Sequence, residues 1–402
     1  MTETSSSKKW DRRDLLKAVM GSFIAWHSPS VLSATVQQAN AKNLKGKPKI
    51  VWVILRGGMD SLHGILPLSD PDLILHRKHL VSSVENSAFD LGGGFALHPA
   101  FKELFSLYKQ KQMIPVVATE SGAKTRSHFY AQDMLESGLP KADADSGWLN
   151  RAAEVHSADS VAVAHTLPIG LRGKQLAKTW YPDLLRPAKD DLYERLQVLY
   201  QDDDLLSGQL EEGLKNRQLL AGVKNVKNKF SFSSLAGSCA TMLAKDGGPD
   251  CAMLELSGWD THQNQIARLN NKFRELDKGI SMLRENLADQ WNQTVVVVST
   301  EFGRTVAENG TKGTDHGTAS AMFIAGGAVA GGMVQGRWPG LAKSNLFEGR
   351  DLMPTSDTRQ WIRAILSQHW KLNSDQLDYV FPTIKSIDTQ LIRPLSKSVA
   401  VG

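Results

Sequence analysis

Lys49 to Leu55 is an unbroken apolar run rich in β-branched residues, stopped by Arg56-Gly57-Gly58. A strand apolar on both faces is buried on both faces, as in parallel sheets covered by helices. From Pro99 to Lys109 the period changes, with Phe101, Leu104, Phe105 and Tyr108 at helical spacing. Met113 to Ala118 reads as a second strand, and His128 to Gly138 as a helix that Gly138-Leu139-Pro140 ends. Alternation of strand, helix and strand defines an α/β protein.

The clearest unit comes later. Cys251 to Leu256 reads as a strand, and Ile266, Leu269, Phe273, Leu276, Ile280, Leu283 and Leu287 form one stripe of a long helix. Thr294 to Val298 is the next strand. Strand, helix and strand in this order predict a right-handed crossover between parallel strands. Between about 165 and 245 the pattern differs. Acidic runs at Asp190-Asp191, Asp202-Asp203-Asp204 and Glu211-Glu212 alternate with leucines at helical spacing, and no strand run stands out between Pro182 and Phe230. This stretch is expected to be a helical insertion capping the sheet edge, its acidic runs being solvated faces.

The crossover fixes where chemistry belongs. Asp260, His262 and Glu301 follow the carboxyl ends of parallel strands, where open α/β sheets place their sites. Asp60 lies just beyond the strand that ends at Leu55, and Ser127-His128 and Asp315-His316 are further polar pairs. Carboxylates with imidazoles are the ligands of Zn²⁺ or Mn²⁺, and one or two such ions act on a transferring phosphoryl or sulfuryl group.

Composition narrows the classes. The 402 residues are 41% hydrophobic and 22% charged, which suits a globular protein and excludes a disordered chain. The net charge is +5, and part of the excess lies near the start, in Lys8, Lys9, Arg12, Arg13 and Lys17. The remainder is too weak for a nucleic-acid binder. Two cysteines exclude a disulfide scaffold, and Cys239 and Cys251 are expected either to bridge or to be buried thiols. Arg12-Arg13, followed by Leu15-Leu16-Lys17, a short apolar stretch from Ala18 to Trp26 and Ala39-Asn40-Ala41, resembles a twin-arginine signal with its cleavage site. Residues 1–41 are therefore expected to be a signal peptide engaging the Tat translocase. The mature 42–402 is expected to be periplasmic or secreted, with no stable membrane insertion, because no segment reaches a membrane helix of about 18 apolar residues.

The strings Leu55-Arg56-Gly57-Gly58-Met59-Asp60, Ser127-His128-Phe129, Gly258-Trp259-Asp260-Thr261-His262, Glu301-Phe302-Gly303-Arg304 and Gly313-Thr314-Asp315-His316-Gly317 resemble the DUF1501 family, as does Trp338-Pro339-Gly340-Leu341. The resemblance spans about residues 47 to 395. It implies an alkaline phosphatase-like three-layer α/β sandwich around a mostly parallel sheet, the helical insertion included, with metal at the strand ends. By that resemblance Asp60, Asp260, His262, Asp315 and His316 bind metal, with Glu301 as a further ligand or base, and Ser127 is the nucleophile at a helix N-terminus. The chain departs from the superfamily pattern where Glu301-Phe302 replaces Asp-His.

Plainer roles stand beside these. Asp60 and Ser127 suit helix caps. His128 reads as packing or hydrogen bonding beside the site. Glu301 suits a loop salt bridge with Arg304, and Arg56 and Arg304 either hold an anionic substrate or brace carboxylates. Trp259 reads as core. The expected function is an exported metal-dependent hydrolase of phosphate or sulfate esters acting on a small anionic ester or an anionic glycan. The alternative is a non-catalytic binding protein with a degraded site.

Overall fold

A computed structural model describes residues 47–123, 125–182, 190–204, 206–208, 210–211, 213–214 and 230–394. The signal and cleavage-site reading, and part of the expected insertion, lie outside the described residues. In chain order the strands are β1 (Lys49–Arg56), β2 (Ile65–Leu66), β3 (Phe89–Gly92), β4 (Phe95–Leu97), β5 (Met113–Glu120), β6 (Ser160–Val163), β7 (Ala177–Trp180), β8 (Cys251–Ser257), β9 (Thr294–Thr300), β10 (Ser320–Ala325) and β11 (Ser356–Asp357). The helices are α1 (Ser61–Gly64), α2 (Leu73–Ser82), α3 (Lys102–Lys109), α4 (His128–Ser137), α5 (Trp148–His156), α6 (Asp190–Tyr200), α7 (Phe232–Ala244), α8 (Gln265–Leu287), α9 (Thr358–His369) and α10 (Ser374–Val380).

Among the described residues one sheet runs β11-β5-β10-β9-β1-β8-β6-β7, and β2, β4 and β3 form a small second sheet. β1 lies between β8 and β9 and is parallel to both, with Ile50 opposite Cys251 and Val295. β10 alone reverses direction, antiparallel to β5 and β9. The mostly parallel α/β sheet expected from the apolar runs is present, and the β8–α8–β9 crossover falls where the helical stripe placed it.

The apolar run of β1 explains the layering. Val51, Val53 and Leu55 share one core with Leu269, Phe273, Leu276 and Ile280 of α8 and with α7. Ile50, Trp52 and Ile54 face the other way, into a core with Trp148 of α5 and Trp361 and Ile365 of α9. Alternate residues thus enter opposite cores, and helices cover both faces. Cys239 and Cys251 are free and buried, and burial pushes both thiols above their ordinary range. No helix among the described residues is long and apolar enough to cross a membrane.

The stretch from 165 to 245 supplies helices α6 and α7, and also the edge strand β7. β7 reads Ala-Lys-Thr-Trp, is partly exposed along its length and pairs only with β6. It carries no apolar run because neither face is fully covered.

Candidate metal centre

The carboxyl ends of β8 and β9, the first residue of α4 and the loop after Gly313 converge on one place. Trp259 is buried and donates its indole N–H to Leu256 O at 2.8 Å, which pins the turn that presents Asp260 and His262. Gly57 must be glycine there, because at φ +123° a Cβ would stand 2.5 Å from the Asp260 amide nitrogen.

His128, Asp260 and His316 each bring one ligand atom into a group whose members lie within 4.8 Å of one another. His316 Nε2 lies 3.1 Å from His128 Nε2, from His262 Nε2 and from Asp260 Oδ1. His262 Nε2 lies 2.9 Å from Asp260 Oδ1. Ligands at about 2.0 to 2.1 Å on a tetrahedral ion stand roughly 3.3 Å apart, and the contacts of His316 with His128 and Asp260 are of that order.

The other ring nitrogen of each histidine is committed. His316 Nδ1 lies 3.0 Å from Arg126 O, a carbonyl that only accepts, so Nδ1 carries the proton. His128 Nδ1 lies 2.7 Å from Glu301 Oε1, and His262 Nδ1 lies 3.1 Å from Asp315 Oδ1. Burial pushes the Glu301 carboxyl up, but donors from His128, Gln132 and the Gly57 amide outweigh it and hold it below its ordinary range. The His262 hydrogen bond, aided by Asn309 and Arg350, does the same for Asp315. Both carboxylates are therefore ionised acceptors near neutral pH, and each holds its ring by Nδ1 with Nε2 turned inward. Desolvation lowers the His316 pKa and keeps that ring neutral. Imidazole nitrogens facing one another at 3.1 Å, each ring held by an oxygen acceptor at Nδ1, make a candidate donor set for a divalent ion.

Asp260 completes the set. Burial raises its pKa, but Arg304, with help from His262 and His316, brings it below the usual range. Arg304 is buried, donates Nη1 to Asp260 Oδ1 at 2.6 Å and anchors its Nε on Thr314 Oγ1 at 3.2 Å.

The family described as "Protein of unknown function (DUF1501)" matches residues 112–381. The chain belongs to that family. No curated protein matches it. Among solved structures it is similar to the C-terminal periplasmic domain of EcEptC from Escherichia coli in complex with Zn, at 9% identity over 69% of this chain and 72% of that one, TM-score 0.36. It is similar to the alkaline phosphatase of the Antarctic bacterium TAB5, at 13% identity over 71% and 92%, TM-score 0.33. It is also similar to the phosphonate monoester hydrolase of Agrobacterium radiobacter, at 10% identity over 72% and 71%, TM-score 0.34.

The stretch matched by DUF1501 holds every residue of the converging group. Of the six expected ligands, Asp260 and His316 belong to the group, and His262 Nε2 lies beside both. Glu301 and Asp315 reach it only through the imidazoles they orient, because the oxygens nearest the centre already accept ring N–H groups. Asp60 stands apart from the converging group. It is buried, its oxygens accept from Arg77 at 2.9 and 3.0 Å, and it caps α1 through the Leu62 amide at 3.1 Å. Burial opposes its ionisation, but Arg77, with His63 and Gln265, holds it below the usual range. Arg56 bonds Gln132, Glu136 and Glu255 rather than any of the grouped ligands. Ser127 is exposed at the N-terminus of α4 and makes no side-chain cap bond.

Two contributors stand closer to the chemistry than the sequence places them: the sequence sets His128 beside the site and does not single out Gln132. His128 is one of the three grouped ligands, and Gln132, one turn along α4, donates to Glu301 at 2.9 Å. The signal for both is the helical spacing of four between them, which puts them on one face of α4.

Proposed function

We propose that this DUF1501 protein is a metal-dependent hydrolase of phosphate or sulfate esters, exported by the twin-arginine route. The observation that carries the reading is the convergence of His128, Asp260 and His316, with His262 Nε2 3.1 Å from His316 and each ring held through Nδ1. His128, Asp260 and His316 would hold one divalent ion of the Zn²⁺ or Mn²⁺ class, with His262 beside them. Such an ion supplies Lewis acidity to the oxygens of a phosphoryl or sulfuryl group.

The chain's own groups supply the rest. Ser127 precedes α4, whose first amides favour an anion. In this reading its Oγ displaces the alcohol at phosphorus or sulfur, the hydroxyl proton going to solvent and the leaving oxygen taking one from it. Water then displaces Ser127 and releases phosphate or sulfate, so the sum is ester plus water to alcohol plus acid. Arg304 keeps Asp260 ionised and oriented, while Glu301, Asp315 and the Arg126 carbonyl fix the three rings. Small anionic esters and anionic glycans are the substrates this chemistry suits.

One preparation tests the reading. Protein recovered from the periplasmic fraction without chelator is expected to carry about one equivalent of a transition metal by mass spectrometry, and His128→Ala with His316→Ala to carry none. On a panel of phosphate and sulfate esters, Ser127→Ala is expected to lose turnover while keeping its metal. A wild-type chain that neither carries nor takes up Zn²⁺ or Mn²⁺ rejects the hydrolase, and a chain confined to the cytoplasm rejects the export route.

A further inference from the structure

We infer that Asp351 is a positioning residue for the metal centre, acting through Arg126; the inference rests on the metal reading above. Asp351 is fully buried, and its Oδ2 accepts Arg126 Nε at 3.0 Å, Arg126 Nη2 at 2.7 Å and the Thr318 hydroxyl at 2.9 Å. Its Oδ1 has no hydrogen-bond partner among the described residues, and Arg350 Nη1 stands off at 3.7 Å. A buried carboxylate with a bare oxygen opposes stability. Packing alone does not account for it, whereas a charge-assisted hold on a guanidinium, with two N–H groups on the one oxygen Oδ2, does.

What the grip holds is the backbone that presents two of the ligands. The Arg126 carbonyl accepts the His316 Nδ1–H, and two residues later His128 opens α4. Between the end of β5 at Glu120 and the start of α4 the described residues form no helix or strand to fix this carbonyl. Side chains supply the anchor instead, Asp351 from the interior and Glu348 from the surface at 2.6 Å. The same short segment reaches His316 from the other side, where Arg350 Nη2 donates to its carbonyl at 3.1 Å. Asp351 also bridges Thr305, one residue after the arginine that braces Asp260. Asp351 itself touches no ligand atom. Its effect passes through Arg126 O to the tautomer and aim of His316.

The test is the Zn²⁺ affinity of the whole chain, read by competition with a chromophoric chelator, beside the melting midpoint of the metal-free protein. Asp351→Asn keeps the shape and loses the charge. It is expected to raise the Zn²⁺ Kd about 10- to 100-fold, with the metal-free midpoint unmoved. Arg126→Gln is expected to do the same, and the double variant to bind no more weakly than either single one, because both cut one link. Glu348→Gln, on a carboxylate 59% exposed, is expected to change the Kd less than about twofold. Full additivity of the two changes, or an unchanged Kd in Arg126→Gln, overturns the inference. If Asp351→Asn fails to fold, Arg126→Gln alone decides, since that side chain is one third exposed. A wild-type chain that binds no Zn²⁺ brings down the metal reading itself, an outcome distinct from wild type and variants binding alike.

Discussion

A histidine has two ring nitrogens, and the partner given to one decides what the other offers. Glu301 makes that choice for His128, at 2.7 Å and from full burial. Glu301→Gln keeps the size but removes the charge that fixes the Nδ1 proton, and it is expected to weaken Zn²⁺ binding about 10- to 100-fold in the same competition assay. An unchanged affinity would show that the ring is oriented by packing alone, for instance on Phe302 at 4.6 Å between ring centres. At this scale the sequence was half legible. Asp-x-His after a strand and Asp-His in a glycine-rich loop point to a site by their chemistry. That Glu301 and Asp315 orient rings while His128 faces the centre depends on partners 173 and 53 residues apart in sequence. No local pattern encodes that.

Elements with two-sided burial were legible, and those without it were not. β1, β8 and β9 show as apolar runs because helices cover both their faces, and α8 shows as a stripe because one side meets the sheet. β7 stayed hidden because an edge strand needs no such run, and the reversal of β10 stayed hidden because an apolar run carries no direction. The stripe of α8 should behave as pure core. Leu283 is fully buried there, and Leu283→Ala is expected to cost about 2 to 5 kcal/mol in urea unfolding while leaving the Zn²⁺ Kd of the folded protein unchanged. A matching loss of affinity would mean that α8 tunes the centre rather than supporting the sheet.

Across the whole molecule, buried histidines set an acid limit apart from the metal centre. Desolvation lowers the pKa of His63 to about 4, of His98 to about 3 and of His369 to about 4. Each is neutral when folded and takes a proton more readily when unfolded, where its pKa is about 6.5. Their contribution is therefore complete above about pH 6.5 and is lost as pH falls from there through about 4. Metal-free protein should show its urea midpoint falling steadily between pH 6.5 and 4.5, and a flat midpoint over that window would contradict the burial of these rings. The carboxylates held below their ordinary range, Asp60, Asp260, Glu301 and Asp315, add their own loss at more acid pH. The place of β1 in the sheet has a consequence for the order of synthesis. Among the described residues, the first strand to be made has as its only neighbours β8 and β9, which begin at Cys251 and Thr294. A growing chain must therefore shelter an apolar strand with two bare edges until about three fifths of its length has emerged, and with one until nearly three quarters has. A chain cut short before Thr294 leaves one of those edges open for good, and it is built to aggregate rather than to fold as a smaller domain.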